Sequence, residues 1–307
     1  MRAAQTCVAP SHICVYYDIA TCKATVAFLK TILEMGHQGQ LVLDLRRTLY
    51  MSGGAALMLF AHVNYLQLLY GSRDRVRCIF PSRTENPAGH SWIVRTQLSR
   101  ALMSGSLDGL EQLVKDKVFF QSSNDPNTHA AVTVTQLTEK LSLSPQHQLS
   151  LMLGSAITEA MLNVSYHAYE HAPDAFPGPL SGRWWQYAHF DEEDGAFVFL
   201  IYDLGLGVLR SYKNAIDPSG IKPDAYLLEE ALSYGFSRSK DASRGVGSED
   251  IKHPITQGKE QLLICCSDYR YIYEGEDKPA QIERKPFVIH GNLVEWSLET
   301  EVKKEDI

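Results

Sequence analysis

Several things are missing from this chain. No two cysteines form a C-x-x-C pair, with two residues between them, and no Cys/His spacing fits a zinc site. Its six cysteines (Cys7, Cys14, Cys22, Cys78, Cys265 and Cys266) therefore read as reduced thiols of a cytosolic protein. Cys265 and Cys266 are neighbours in an apolar run, so alternation expects one to face the core and the other away. No stretch approaches the roughly 20 apolar residues of a membrane helix. The opening Met1-Arg2-Ala3-Ala4-Gln5 lacks the apolar segment of a signal peptide. The chain is expected to be soluble and cytoplasmic, without a membrane partner. There is also no basic excess: a formal charge of -7 and a pI near 5.9 give no electrostatic reason for direct nucleic-acid binding. The short clusters Arg46-Arg47 and Arg73 to Arg77 read as solvated edges. No internal repeat or low-complexity segment is present. What remains is an ordinary globular composition, 45% hydrophobic and 21% charged over 307 residues, enough for two domains.

The N-terminal third alternates strand and helix signals. Val26, Leu29, Ile32 and Leu33 repeat at helical spacing within Thr21 to Met35. A buried strand follows at 40–45, a second helix over Gly53 to Tyr70, and a strand at 75–81 that Pro81 ends. This order predicts a small α/β layer, placed at 1–105. Residues 106–144 are richer in turn formers and read as a linker running into the next sheet, with strands expected at Val118 to Gln121 and Ala131 to Gln136. The second domain is placed at 145–307. It opens with a helix from Pro145 to about Glu170. Strands are expected at Trp184 to Phe190 and Ala196 to Tyr202, around the turn Glu192-Glu193-Asp194-Gly195. A helix near Ala225 to Tyr234 and strands at Gln261 to Cys266 and Leu293 to Leu298 complete it. The fold class expected is α/β, with helices on one face of a mixed sheet. On an alternating strand one of Trp184 and Trp185 is expected to face the core and the other a neighbouring layer, with partner binding as the alternative reading.

Three elements of the second half carry chemistry-bearing residues. Glu159 and Asn163 lie four apart on the long helix, hence on one face. A carboxylate there suits the activation of a water, and an amide suits a hydrated Mg²⁺. Asp203-Leu204-Gly205-Leu206-Gly207 follows directly on the strand Phe197 to Tyr202. An acid at a strand end accepts a hydrogen bond from an exocyclic amine, and the glycines let backbone approach a ligand. The third is Ser237-Arg238-Ser239 with Arg244-Gly245-Val246-Gly247-Ser248, a glycine-rich stretch opening a helix, which offers N–H groups to phosphates. Singly, each has a plain structural reading as a solvated helix face, a strand-to-loop turn or a flexible loop with a cap.

Their order, their gaps of about 40 residues and their strand or helix contexts resemble the N, G1 and G2 boxes of the GHKL superfamily of ATPases. The resemblance covers roughly residues 130–300. It implies a sandwich fold that binds ATP and Mg²⁺, with Glu159 as general base and Asn163 as the Mg²⁺ ligand. Asp203 is implied to read adenine, Gly205 and Gly207 to shape the pocket, and Ser237, Arg244, Gly245, Val246 and Gly247 to serve the phosphate lid. Ser248-Glu249 departs from the Gly-Leu that often follows the last lid glycine. Asn163-Val164-Ser165-Tyr166-His167-Ala168-Tyr169 is most similar to the anti-sigma serine kinases of bacterial partner switching. His167 then either reaches nucleotide or a partner, or is a satisfied residue at the helix end.

The first third points the same way. Leu41-Val42-Leu43-Asp44-Leu45 followed by Tyr50-Met51-Ser52-Gly53-Gly54-Ala55 resembles a STAS domain, in which a serine opening this helix is phosphorylated. Met51 stands where that family has Asp. Ser52 accordingly has two readings, an N-cap that satisfies N–H groups or a phospho-switch. The combined resemblance implies an ATP-dependent regulator of a protein partner, acting by hydrolysis, by occupancy alone or as a serine/threonine kinase. It leaves homodimerisation open.

Overall fold

The computed structural model describes residues 4–141, 148–191, 195–233, 247–256 and 260–299. The chain is mixed α/β and divides into two compact units. One comprises Met1–Ser122, Asp174–Leu180 and Trp185–Tyr187; the other comprises Ser123–Pro173, Ser181–Trp184 and Ala188–Ile307. Among the described residues no helix is long and apolar enough to cross a membrane.

The first unit runs β1 (Gln5–Val8), β2 (His12–Ile13), α1 (Ile19–Gln38), β3 (Leu41–Asp44), β4 (Tyr50–Met51), α2 (Gly53–Leu69) and β5 (Val76–Ile79). The helices α3 (Pro87–His90), α4 (Leu98–Met103) and α5 (Leu107–Lys115) follow. β1, β3 and β5 form a parallel sheet in that order, and β2 pairs in parallel with β4. α1 starts where Asp18 accepts the Thr21 N–H at 2.7 Å, satisfying one of the orphan donors of a first turn. α2 is apolar almost all round, and every residue from Gly54 to Gln67 is buried. Its polar side chains are used rather than exposed. Gln67 Nε2 donates to the carbonyls of Arg73, Val76 and Leu102, and Asn64 Oδ1 accepts from Trp185 Nε1 at 3.0 Å. Each such bond offsets the cost of taking an amide out of water.

Ser52 occupies the N-cap position of α2, but its side chain caps nothing: its Oγ is buried and has no hydrogen-bond partner. The expected satisfaction of N–H groups by this serine is therefore corrected. Arg75 is no solvated edge either. It stacks 3.6 Å over the Tyr70 ring and donates to the carbonyls of Gly36 and His37, closing the end of α1.

β6 (Gln121–Ser123) lies at the division between the units, and the other elements belong mainly to the second unit. They are α6 (Pro126–Lys140), α7 (Gln148–Asn163), β7 (Trp184–Asp191), β8 (Ala196–Tyr202), α8 (Val208–Ile216), α9 (Asp224–Ala231), α10 (Gly247–Lys252), β9 (Gln261–Tyr273) and β10 (Gln281–Glu299). The sheet order is β6-β7-β8-β10-β9, with β10 antiparallel to both β8 and β9. All seven residues of β8 are buried, which places the core on this strand. Burying each large aliphatic or aromatic side chain here contributes about 1.5–3 kcal/mol.

Three expectations fail in this half. Ala131 to Gln136 is helix, not strand. Asp125 accepts the N–H groups of Asn127 and Thr128 and Pro126 fills the first turn, so a helix is nucleated before the β-branched residues are reached. The strand expected at Val118 to Gln121 is instead the short β6. Cys265 and Cys266 are both buried, because β9 lies between a packed face on either side at that point. Trp184 and Trp185 are likewise both fully buried; Trp184 meets His129 edge-on with ring centroids 6.0 Å apart.

Candidate functional site

α7 buries Leu153, Ala156, Ile157, Ala160 and Met161, a stripe at helical spacing. Glu159 and Asn163 lie off that stripe, half-buried, and touch each other: Asn163 Nδ2 donates to Glu159 Oε1 at 3.0 Å. This orientation of the amide leaves Asn163 Oδ1, a hard oxygen, available to a cation. Burial pushes the Glu159 carboxyl above its ordinary range, and the negative charge of Asp250 adds to the rise; the Asn163 bond and His167 oppose it. Asp250 belongs to α10, which packs against α7. Gly247 is the first residue of α10, so the third sequence element runs into a helix that packs against the one carrying the first.

The long helix stops earlier than expected. α7 ends at Asn163, and Val164–Ala168 is wound as a wider π-type turn. Such turns re-aim the residues that follow and recur at functional sites. His167 sits on it with its side chain 35% exposed, and Nδ1 lies 3.2 Å from Glu170 Oε1. The turn delivers Ala168 and Tyr169 to the loop after β8. Leu206 N donates to the Ala168 carbonyl at 2.9 Å, and Leu204 N donates to Tyr169 Oη at 3.2 Å. A Cβ on Gly205 would stand 2.2 Å from the Ala168 carbonyl oxygen, so glycine is what allows the two segments to meet.

Asp203 lies at the centre of the second element and is 1% exposed. Its Oδ1 accepts the Gly205 N–H at 2.8 Å; its Oδ2 accepts from Asn292 N at 3.2 Å and Asn292 Nδ2 at 2.8 Å. Burial raises its pKa to about 6 against the pull of these three donors. Gly207 has a left-handed φ of 84° and approaches the Gly291 carbonyl, 2.9 Å from where a Cβ would be.

The structure thus places Glu159, Asn163 and His167 at the end of α7 and its turn, joins that turn to the Asp203–Gly207 loop, and packs α10 against α7. Ser237, Arg244, Gly245 and Val246 lie outside the described residues. Sequence reasoning gives Tyr169 no role beyond its place in the Asn163–Tyr169 stretch, and it passes over Gly291 and Asn292. The last two lie just ahead of the strand expected at Leu293 to Leu298. A glycine followed by an amide in an apolar strand was the available signal, since an isolated strand glycine marks a bulge or close approach. Between Ile289 and Asn292 the β10–β9 register does shift, and Gly291 has a φ of 73°.

Compared with protein-family models, curated proteins and solved structures, this chain matches none of them.

Proposed function

We propose that the second unit is a Mg-ATP-binding module of the GHKL type, joined to a STAS-like first unit, and that it hydrolyses ATP or uses its occupancy to control a protein partner. One observation carries this reading: the helix carrying Glu159 and Asn163 packs against the helix that Gly247 opens, and its terminal turn is hydrogen-bonded to the loop Asp203 to Gly207.

The donor set suits the ligand. An ionised carboxylate is an acceptor only, and Asp203 has Oδ2 filled by two donors and Oδ1 by one. One acceptor position remains on Oδ1, which favours a purine bearing an amino group over one bearing a carbonyl. Asn163 Oδ1 would take a place in the shell of Mg²⁺. Among the described residues no group of three His, Cys, Asp or Glu side chains could hold an ion, so such a cation would take its remaining ligands from phosphate and water. When bound, Mg²⁺ neutralises phosphate charge. Glu159, half-buried and more basic than an ordinary glutamate, is the residue to accept a proton from an attacking water or hydroxyl. The segment from about 208 to 247, which includes α8 and α9, would be the lid.

A kinase acting on a STAS serine is the second reading, favoured by the same basic Glu159. Ser52 of this chain is 3% exposed, so in that reading the acceptor is a serine on another molecule. Calorimetry with Mg-ATP tests the proposal; a chain that evolves no binding heat at millimolar nucleotide overturns it. Glu159→Ala then separates its two forms. Loss of turnover with intact, ATP-dependent partner binding identifies a switch, whereas loss of both identifies an enzyme.

A further inference from the structure

Gly207 precedes α8 and has no side chain, so it cannot cap the helix it opens. The cap comes instead from a distant strand. Asn292 Oδ1 accepts the Val208 N–H at 2.8 Å, while Asn292 Nδ2 donates to Asp203 Oδ2 at 2.8 Å. The two ends of one amide therefore hold two elements. Turning it over would aim N–H at N–H and oxygen at carboxylate, so both bonds hold or fail together. The backbone beneath it is also fixed. Gly291 brings its Cα so close to Asp203 that a Cβ would stand 1.9 Å from the Asp203 carbonyl oxygen, and Asp203 N donates to the Asn292 carbonyl at 3.1 Å. α8 in turn packs against α9, β9 and the 164–168 turn.

The geometry points to Asn292 as a positioning residue that ties the Asp203 carboxylate to the first turn of α8, so that a ligand engaging Asp203 changes the order of the α8–α9 segment. This rests on the nucleotide reading above. A donor arriving on Oδ1 fixes the plane of the carboxylate whose Oδ2 orients the Asn292 amide, and that amide is the cap of α8, so the ligand steadies the cap. Site and lid then share one free-energy account: whatever nucleotide does to the cap, the cap does to nucleotide affinity.

Hydrogen exchange on the full chain, with and without Mg-ATP, tests it with two variants that cut opposite arms. Val208→Pro removes the N–H that Asn292 caps. Proline is accommodated at a first helical position, and Gly207 already has the extended ψ of 147° that a residue before proline prefers. Wild type is expected to show slowed exchange over Arg210 to Ile216 on adding Mg-ATP, by about tenfold. Val208→Pro is expected to lose most of that protection while still binding Mg-ATP, more weakly than wild type by no more than the same factor of about ten, since only the coupling is cut. Protection equal to wild type overturns the inference. Asn292→Ala is read without nucleotide: loss of one helix cap is expected to speed exchange in the first turns of α8 about fivefold. Unchanged exchange there overturns the strut itself. Should wild type bind no Mg-ATP, the nucleotide reading falls and the coupling with it, while the nucleotide-free comparison still judges the Asn292 cap.

Discussion

Two buried polar side chains at the mouth of a helix, one in each unit, are treated in opposite ways. Ser52 precedes α2 and its hydroxyl meets no partner. Asp203 lies five residues ahead of α8 and receives three N–H groups, two of them from a residue 89 positions away. An uncharged hydroxyl can be left unpaired at a cost of about 1–3 kcal/mol. A carboxylate cannot, and so a loop, a bulge and two glycines are arranged around it. The difference teaches where a fold has been shaped for a charge: Asp203 has a built surround, and Ser52 is simply enclosed.

The sharpest way to break this contrast is to crowd the carboxylate. Gly291→Ala places a Cβ against the Asp203 carbonyl and demands a left-handed φ, so a loss of more than about 3 kcal/mol is expected in urea denaturation, together with Mg-ATP binding. A variant of wild-type stability would mean that Asp203 is not tightly held. Asp203→Ala is expected to cost about 3 kcal/mol, because it leaves three N–H groups facing nothing.

Acidity sharpens the comparison further. The native pKa of Asp203, about 6, lies above that of an unfolded aspartate, so the native state holds the extra proton between roughly pH 4 and 6. Stability contributed by that proton is present below pH 4, is lost as pH rises to about 6, and is constant beyond. Denaturation of wild type and Asp203→Asn across this range should shift the balance toward the variant by about 2–3 kcal/mol as pH rises. A flat difference would show an ordinary aspartate. The smallest effect is expected at Ser52: Ser52→Ala removes an unpaired hydroxyl and should change stability by less than about 1 kcal/mol, in the stabilising direction. A larger loss in thermal denaturation would reveal a partner for that oxygen.

Much of the architecture was legible because it follows from periodicity. Val26 to Leu33 and Leu153 to Met161 repeat at helical spacing, and β8 is a continuous apolar run with turn formers beyond it; such patterns are local. The failures are local patterns overruled by a neighbour. Ala131 to Gln136 looks like a strand until Asp125 and Pro126 start a helix ahead of it. The end of α7 was placed several residues late because nothing in Asn163 to Tyr169 announces a π-type turn. Within the site, Glu159 beside Asn163 was visible as a spacing of four, and Asp203 as an acid ending a strand. Asn292 was not, since its role depends on a register shift in β10 set by long-range pairing.

By itself the sequence determined the α/β class, the positions of α1, α2 and the strands around β8, and the shared helix face of Glu159 and Asn163, all properties of short segments. Only tertiary structure decided that Asp203 would be held by three donors, that Asn292 would cap a helix far away in the chain, and that Ser52 would be enclosed without a partner. Those outcomes depend on which backbones approach within hydrogen-bond reach, and that is fixed by packing across many tens of residues.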